Sequence, residues 1–150
     1  MKIYALILIF FLILTFTLPS RVLAVSEHLN LGQLQSMGFT KYESVNGNSL
    51  LYPFKRFREK IFRVPDQELF DTRFNELIYI ANKKKTGFLE ESVSRYISIS
   101  GILMQNKKSS VSEKAKQNIK ILEKLRDGYP ANSLPWIQIQ KTVDTTRRLQ

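Results

Sequence analysis

Apolar positions along this chain form one continuous run and five spaced series. The run is Ile3 to Leu18, apolar or threonine at every position, with Lys2 before it and Pro19-Ser20 behind it. Val22-Leu23-Ala24 then sets small residues where a signal peptidase reads. The pattern predicts a secretory signal cleaved after Ala24. A run of this length also approaches the lower limit for spanning a bilayer, so an uncleaved N-terminal membrane anchor is the alternative. Arg21, just past the run, favours that alternative slightly. A buried helix of a cytosolic protein is the third option.

Val25 to Asn48 is polar, with Gly32, Gly38 and Gly47 and scattered apolar residues. It reads as an extended or partly disordered lead-in, whose Leu29, Leu31, Leu34, Met37 and Phe39 are placed to form a short helix or strap lying on the bundle.

The spaced series begin after it. Phe54, Phe57, Ile61 and Phe62 recur at helical steps from Pro53, whose fixed φ suits a first turn. Ser49 is the candidate cap. Lys55, Arg56, Arg58, Glu59, Lys60 and Arg63 fill the other faces, with Lys55–Glu59 and Glu59–Arg63 spaced to pair. A helix of about three turns needs a docking partner, so the aromatic stripe is expected to face the core.

Leu69, Phe70, Phe74, Leu77, Ile78 and Ala81 predict a second helix from Pro65 to about Lys84, stopped at Thr86-Gly87. Leu89, Val93, Tyr96, Ile97, Ser100, Leu103 and Met104 predict a third, Phe88 to Gln105. A strand over Ser94–Leu103 is its local alternative, given the β-branched residues there. It is set aside because one strand cannot stand alone. Gly101 is read as allowing close helix contact. Val111, Ala115, Ile119, Leu122 and Leu125 give the cleanest stripe, over a fourth helix to Arg126 opened by a Ser110-x-x-Glu113 capping box. Trp136, Ile137, Ile139 and Val143 mark a fifth, capped by Ser133. Trp136 is read as a packing plug, and Thr142, Thr145 and Thr146 as part of a fraying end. The expected architecture is all-α: a small four- to five-helix bundle of packed hairpins, with a signal peptide over 1–24, a lead-in over 25–48 and the helical domain over 49–150.

Leu50-Leu51-Tyr52-Pro53-Phe54-Lys55-Arg56-Phe57-Arg58-Glu59-Lys60, followed by a short Pro-Asp-Gln-Glu break and a long helix, resembles the opening of the bacterial domain of unknown function 5667 family. The match covers roughly residues 48–105. The chain departs from that pattern at Asn48-Ser49-Leu50, where the family tends to carry Pro or Gly, and at Phe54, where it usually has Leu. The resemblance implies a helical extracytoplasmic module, and it carries over no catalytic residue.

Composition narrows the chemistry. The 150 residues include no Cys, one His, and 23 basic against 13 acidic residues, a net +10. Cleavage after Ala24 would leave 21 basic residues against the same 13, a net +8. Without Cys there is no disulfide, thiolate metal site or lipidated cysteine. His28 stands alone in the lead-in and supplies no ligand set. No nucleophile elbow or Gly-rich phosphate loop appears. Asp66 with Glu68, and Glu90 with Glu91, already have a reason to exist as first-turn charges. No cofactor, metal, small-molecule substrate or specific nucleic acid is expected, and the chain is read as not an enzyme.

What remains is positive charge among aromatics. Lys55, Arg56, Arg58, Lys60 and Arg63, with Lys83, Lys84 and Lys85, are the candidate contacts for an anionic surface, either an envelope polymer or a membrane. The competing reading makes the same cations ordinary solvated charge and Lys83–Lys85 a hairpin tip. The function expected is an exported, non-enzymatic helical binding or scaffold module at the cell envelope. The alternative is a regulatory domain that binds another protein, and an enzyme with a carboxylate-based site ranks last.

Overall fold

The computed structural model describes residues 29–106 and 111–150. The Ile3–Leu18 run, the expected cleavage position and His28 lie outside them. Among the described residues every regular element is helical. These are α1 (Leu31–Ser36), α2 (Tyr52–Ile61), α3 (Asp66–Asn82), α4 (Leu89–Gln105), α5 (Ser112–Asp127) and α6 (Leu134–Arg147), with a 3-10 turn at Thr86–Phe88. The all-α expectation holds: five of the six α-helices among the described residues lie within 49–150, where four to five were expected, and α1 lies in the lead-in. The region considered for a strand, Ser94–Leu103, is helical within α4.

Four helices make the bundle. α3 packs along α4, and α5 along α6; α4 faces α6, and α3 faces α5. Polar ties set the directions. Lys114, early in α5, pairs with Asp71, early in α3. Tyr129, just past α5, donates its hydroxyl to the Ala81 carbonyl near the end of α3 at 2.6 Å. Thus α3 and α5 run parallel. Asn106, after α4, reaches back to Asp66 at the start of α3 (3.3 Å), so the α3–α4 hairpin is antiparallel.

The core is built from the predicted stripes. Phe70, Phe74, Leu77 and Ile78 of α3 meet Leu89, Val93, Tyr96 and Leu103 of α4, Ile119, Leu122 and Leu125 of α5, and Ile139 and Val143 of α6. Tyr96 lies at the centre, its ring 5.1 Å from that of Phe70 and its hydroxyl 3.0 Å from Thr146 Oγ1. Burial pushes its phenol above the ordinary value. Thr142 and Thr146 are therefore core residues and not part of a fraying end. Their hydroxyls donate to the carbonyls one turn back, at 3.0 and 2.7 Å, which satisfies them inside the bundle.

Some local expectations need correction. A Cβ on Gly101 would meet nothing within 4 Å, so this glycine serves no close helix contact. Val111 occupies the cap position of α5 with no side-chain cap bond, and Glu113 pairs with Lys116 at 3.4 Å; Ser110 of the expected capping box lies outside the described residues. Ser133 does cap α6, accepting from the Trp136 amide.

The ordered domain also begins earlier than residue 49. Asn30 and Gln33 form a reciprocal capping box that opens α1. Leu29, Leu34 and Phe39 are buried in the same core as α3 and α4. The Asn82 amide, at the end of α3, clamps the Leu29 backbone from both sides, accepting from its N–H at 3.0 Å and donating to its carbonyl at 2.8 Å. One side-chain amide thus stands in for a strand partner and fixes where the chain enters the bundle.

Leu77 is fully buried, whereas Phe54 of α2 is 70% exposed. Leu77→Ala is expected to lower unfolding free energy by about 2–5 kcal/mol. Phe54→Ala is expected to change it by no more than about 0.5 kcal/mol. Urea titrations of the two variants check both values.

Candidate functional site

α2 is a helix for reasons visible in its sequence. Pro53 lies in its first turn, the strong helix formers Lys55, Arg56, Arg58, Glu59 and Lys60 follow it, and Arg58 and Lys60 complement the carbonyl end. It has no side-chain cap. Arg63, two residues past its end, adopts φ 47 and turns the chain into α3. The short connection lays α2 beside the first two-thirds of α3.

The face turned inward is not the one the periodicity suggests. Phe54, Phe57, Ile61 and Phe62 are 70, 62, 57 and 72% exposed, and Leu50 and Leu51 before them are exposed as well. Tyr52, Lys55 and Glu59 point into the protein. Their target is a pair of charges on α3, Arg73 and Glu76, which are 2% and 1% exposed. Lys55 Nζ donates to Glu76 Oε1 at 2.8 Å and to the Val45 carbonyl at 2.9 Å, and it lies 3.3 Å from Glu43 Oε1. Tyr52 Oη donates to Glu76 Oε2 at 3.2 Å. Arg73 bridges Glu76, at 2.6 Å, and Glu59. The expected Lys55–Glu59 and Glu59–Arg63 pairs do not form. Both inner residues are taken by partners on other elements.

Arg95 of α4 completes the cluster. Its guanidinium lies 4.7 Å from the Tyr52 ring centre and pairs with Glu91 at 2.8 Å, and its Nε is 3.9 Å from Glu76. Gly47, in the segment before α2, crosses directly over it. A Cβ there would come within 2.5 Å of Arg95 Nη2, so any larger residue would push the guanidinium tip aside.

Glu76 thereby accepts from α2 and α3 at once, with α4 alongside. Burial alone would lower the Arg73 pKa. Glu76 and the bond to Glu59 outweigh it, and the guanidinium is held charged above its ordinary value. Burial, reinforced by the Glu76 carboxylate, raises the Tyr52 phenol from 10.0 to about 12.

Magnitudes show why charge wins over grease. Docking the phenyl stripe on this flank of α3 would gain roughly 1.5–3 kcal/mol per buried aromatic. It would also strip Arg73 and Glu76 of water and of partners, at several kcal/mol per ion. α2 therefore sits slightly off the bundle, with a cleft of about 820 Å³ on its Arg58 flank and another of about 240 Å³ on its Arg56 flank.

The eight cations singled out from sequence separate into three groups. Lys55 is consumed by the Glu76 cluster. Arg56, half exposed, lies 3.7 Å from Glu59, while Arg58, Lys60 and Arg63 are exposed with no ion-pair partner among the described residues. Lys83, Lys84 and Lys85 follow the far end of α3, on the order of 25 Å along its axis from Arg63. Lys85 covers the Tyr79 ring at 4.9 Å. The two basic stretches are thus not one patch. The outward face of α2 carries only apolar side chains and cations, because its single acid, Glu59, is turned inward.

Sequence reasoning missed Glu76, Arg73, Arg95 and Tyr52. The available signal was Arg73 and Glu76, one helical turn apart, set among the apolar positions Phe70, Phe74, Leu77 and Ile80.

No family model, characterised protein or solved structure matches the chain.

Glu76→Gln removes the one carboxylate shared by Lys55, Arg73 and Tyr52, and is expected to cost about 3–5 kcal/mol in chemical unfolding. Tyr52 adds a pH dependence. A phenol whose pKa is higher folded than unfolded contributes stability in full below the unfolded value. That contribution is lost as pH rises through the folded value. Stability is expected to fall between pH 10 and about 12, less steeply in Tyr52→Phe, as read by thermal melts together with tyrosinate absorbance.

Proposed function

We propose that this chain is a non-enzymatic binding module of the cell envelope, and that its working surface is the outward face of α2. The observation that carries the reading is the inversion of this helix. Its hydrogen-bonding side chains hold it in place, and its phenyl groups, with cations that have no ion-pair partner among the described residues, are left facing solvent. A contiguous apolar strip exposed in this way marks an interaction surface. Arg58, Lys60 and Arg63 around it, with no acid among them, select for an anionic counterpart. The Leu-Tyr-Pro-Phe-Lys-Arg resemblance supports an extracytoplasmic setting, as does the apolar run at Ile3–Leu18. The four-helix bundle is the rigid support.

The second reading is a protein partner laid along the same strip. It draws on the exposed Phe54, Phe57 and Ile61 and gives no role to the cations.

Net charge alone attracts any polyanion, so the test must separate the face from the sum. The full-length chain, held in neutral detergent, is titrated with soluble poly(glycerol phosphate). Arg58→Gln/Lys60→Gln/Arg63→Gln is compared with Lys120→Gln/Lys124→Gln/Arg148→Gln, which removes equal charge elsewhere on the exposed surface. The α2 triple is expected to weaken binding at least tenfold more than the control and to flatten its salt dependence, at about 1 kcal/mol per cation removed. Equal losses in the two variants would reduce the interaction to bulk charge.

A further inference from the structure

Resting on that reading of α2, we infer that its partner is an anionic lipid bilayer, and that Phe54, Phe57, Ile61 and Phe62 insert into the headgroup–acyl boundary with the helix lying flat on the membrane. Three observations favour a bilayer over a polymer or a second protein chain. The first is the material of the face. Phenyl and branched alkyl groups 57–72% exposed have nothing to offer a hydrated polymer, whereas insertion at an interface removes them from water. The second is the order of groups along the helix. Arg58, Lys60 and Arg63 alternate with the apolar residues and sit where their long stems can reach phosphates while the rings go deeper.

The third concerns the inner face. An interfacial helix of about three turns folds poorly by itself, and most such helices lose ordering entropy on binding. Here Lys55 on Glu76, Glu59 on Arg73 and Tyr52 under Arg95 hold α2 in its helical form before any contact. A second copy of the chain fits less well. Isologous pairing of this strip would set Arg58, Lys60 and Arg63 against their own counterparts.

The full chain also carries the Ile3–Leu18 run, which can enter any bilayer, so total vesicle binding is uninformative and the readout must be local. Trp136, the sole tryptophan, lies partly buried on α6 beside Arg126, with Arg126 Cζ 5.5 Å from its ring centre. Trp136→Phe combined with Phe57→Trp moves the fluorophore to the centre of the strip. Phe57 is exposed and Trp136 only partly buried, so each exchange keeps an aromatic ring at a position with room, and a circular-dichroism melt checks the fold. With vesicles of phosphatidylglycerol and phosphatidylcholine, the indole emission of this double variant is expected to shift to the blue. It is then quenched by lipids brominated high on the acyl chain and shielded from aqueous iodide. Pure phosphatidylcholine vesicles should produce neither change.

Adding Arg58→Gln/Lys60→Gln/Arg63→Gln is expected to raise the half-saturating lipid concentration on the order of a hundredfold. Emission and iodide access unchanged by anionic vesicles would overturn insertion. If poly(glycerol phosphate) binding still depended on the α2 cations in that case, the broader reading would stand without it. If that dependence were lost as well, both would fall. A blue shift that grows with protein concentration in the absence of lipid would assign the strip to a second copy of the chain and overturn the bilayer.

Discussion

The carboxylate of Glu76 decides how this protein is put together outside its bundle. A charge so nearly removed from water must be matched, and α3 by itself supplies only Arg73. The remaining partners come from α2, in Lys55 and Tyr52, and from α4, in Arg95. Meeting that demand turns α2 about its axis until its polar side faces in. The segment before α2 follows, since the Val45 carbonyl and Glu43 also engage Lys55 and Gly47 passes over Arg95. Hydrophobic burial shapes α3–α6; an ionic constraint shapes everything laid against them from Glu43 to Arg63.

The two regimes meet along α3. On one side Phe70, Phe74, Leu77 and Ile78 are fixed by close packing, where exchange of a methylene is felt. On the other, Arg73 and Glu76 hold their partners by direction and charge, with clefts left on both flanks of α2. Such a contact specifies orientation more than it adds stability, since the desolvation cost offsets much of the attraction. It sets which residues of α2 point outward, and the exposed strip follows from it.

The bundle was largely legible in the sequence. Ala115, Ile119, Leu122 and Leu125 fall on one stripe, and all four are buried. Helix spans came within a few residues because Pro65, Gly87 and Ser133 punctuate the chain. Position on a helix, however, does not say which stripe goes inward when both have a reason to. For Phe54, Phe57 and Ile61 the period-3.6 rule gave the face correctly and its direction wrongly. The deciding residues, Arg73 and Glu76, sit on another helix, and their burial is a property of the assembled fold. Thr146 was misjudged for a related reason. Its hydroxyl looks polar in a list of residues, yet one bond to Tyr96 and one to its own helix make it a core atom. Asn82 likewise shows its role only once Leu29, far away in sequence, has been brought beside it.

The division of labour within α2 has a bearing on how such a chain can diverge. Residues that attach the helix (Tyr52, Lys55 and Glu59) and residues it displays (Phe54, Phe57, Ile61 and Phe62) share no side chain. Substitutions among the displayed set leave the attachment untouched, so the outer strip is free to drift toward a different counterpart while the architecture beneath it persists. A lineage of relatives would then keep the inner triad and vary the outer aromatics, the reverse of what a buried aromatic stripe would impose.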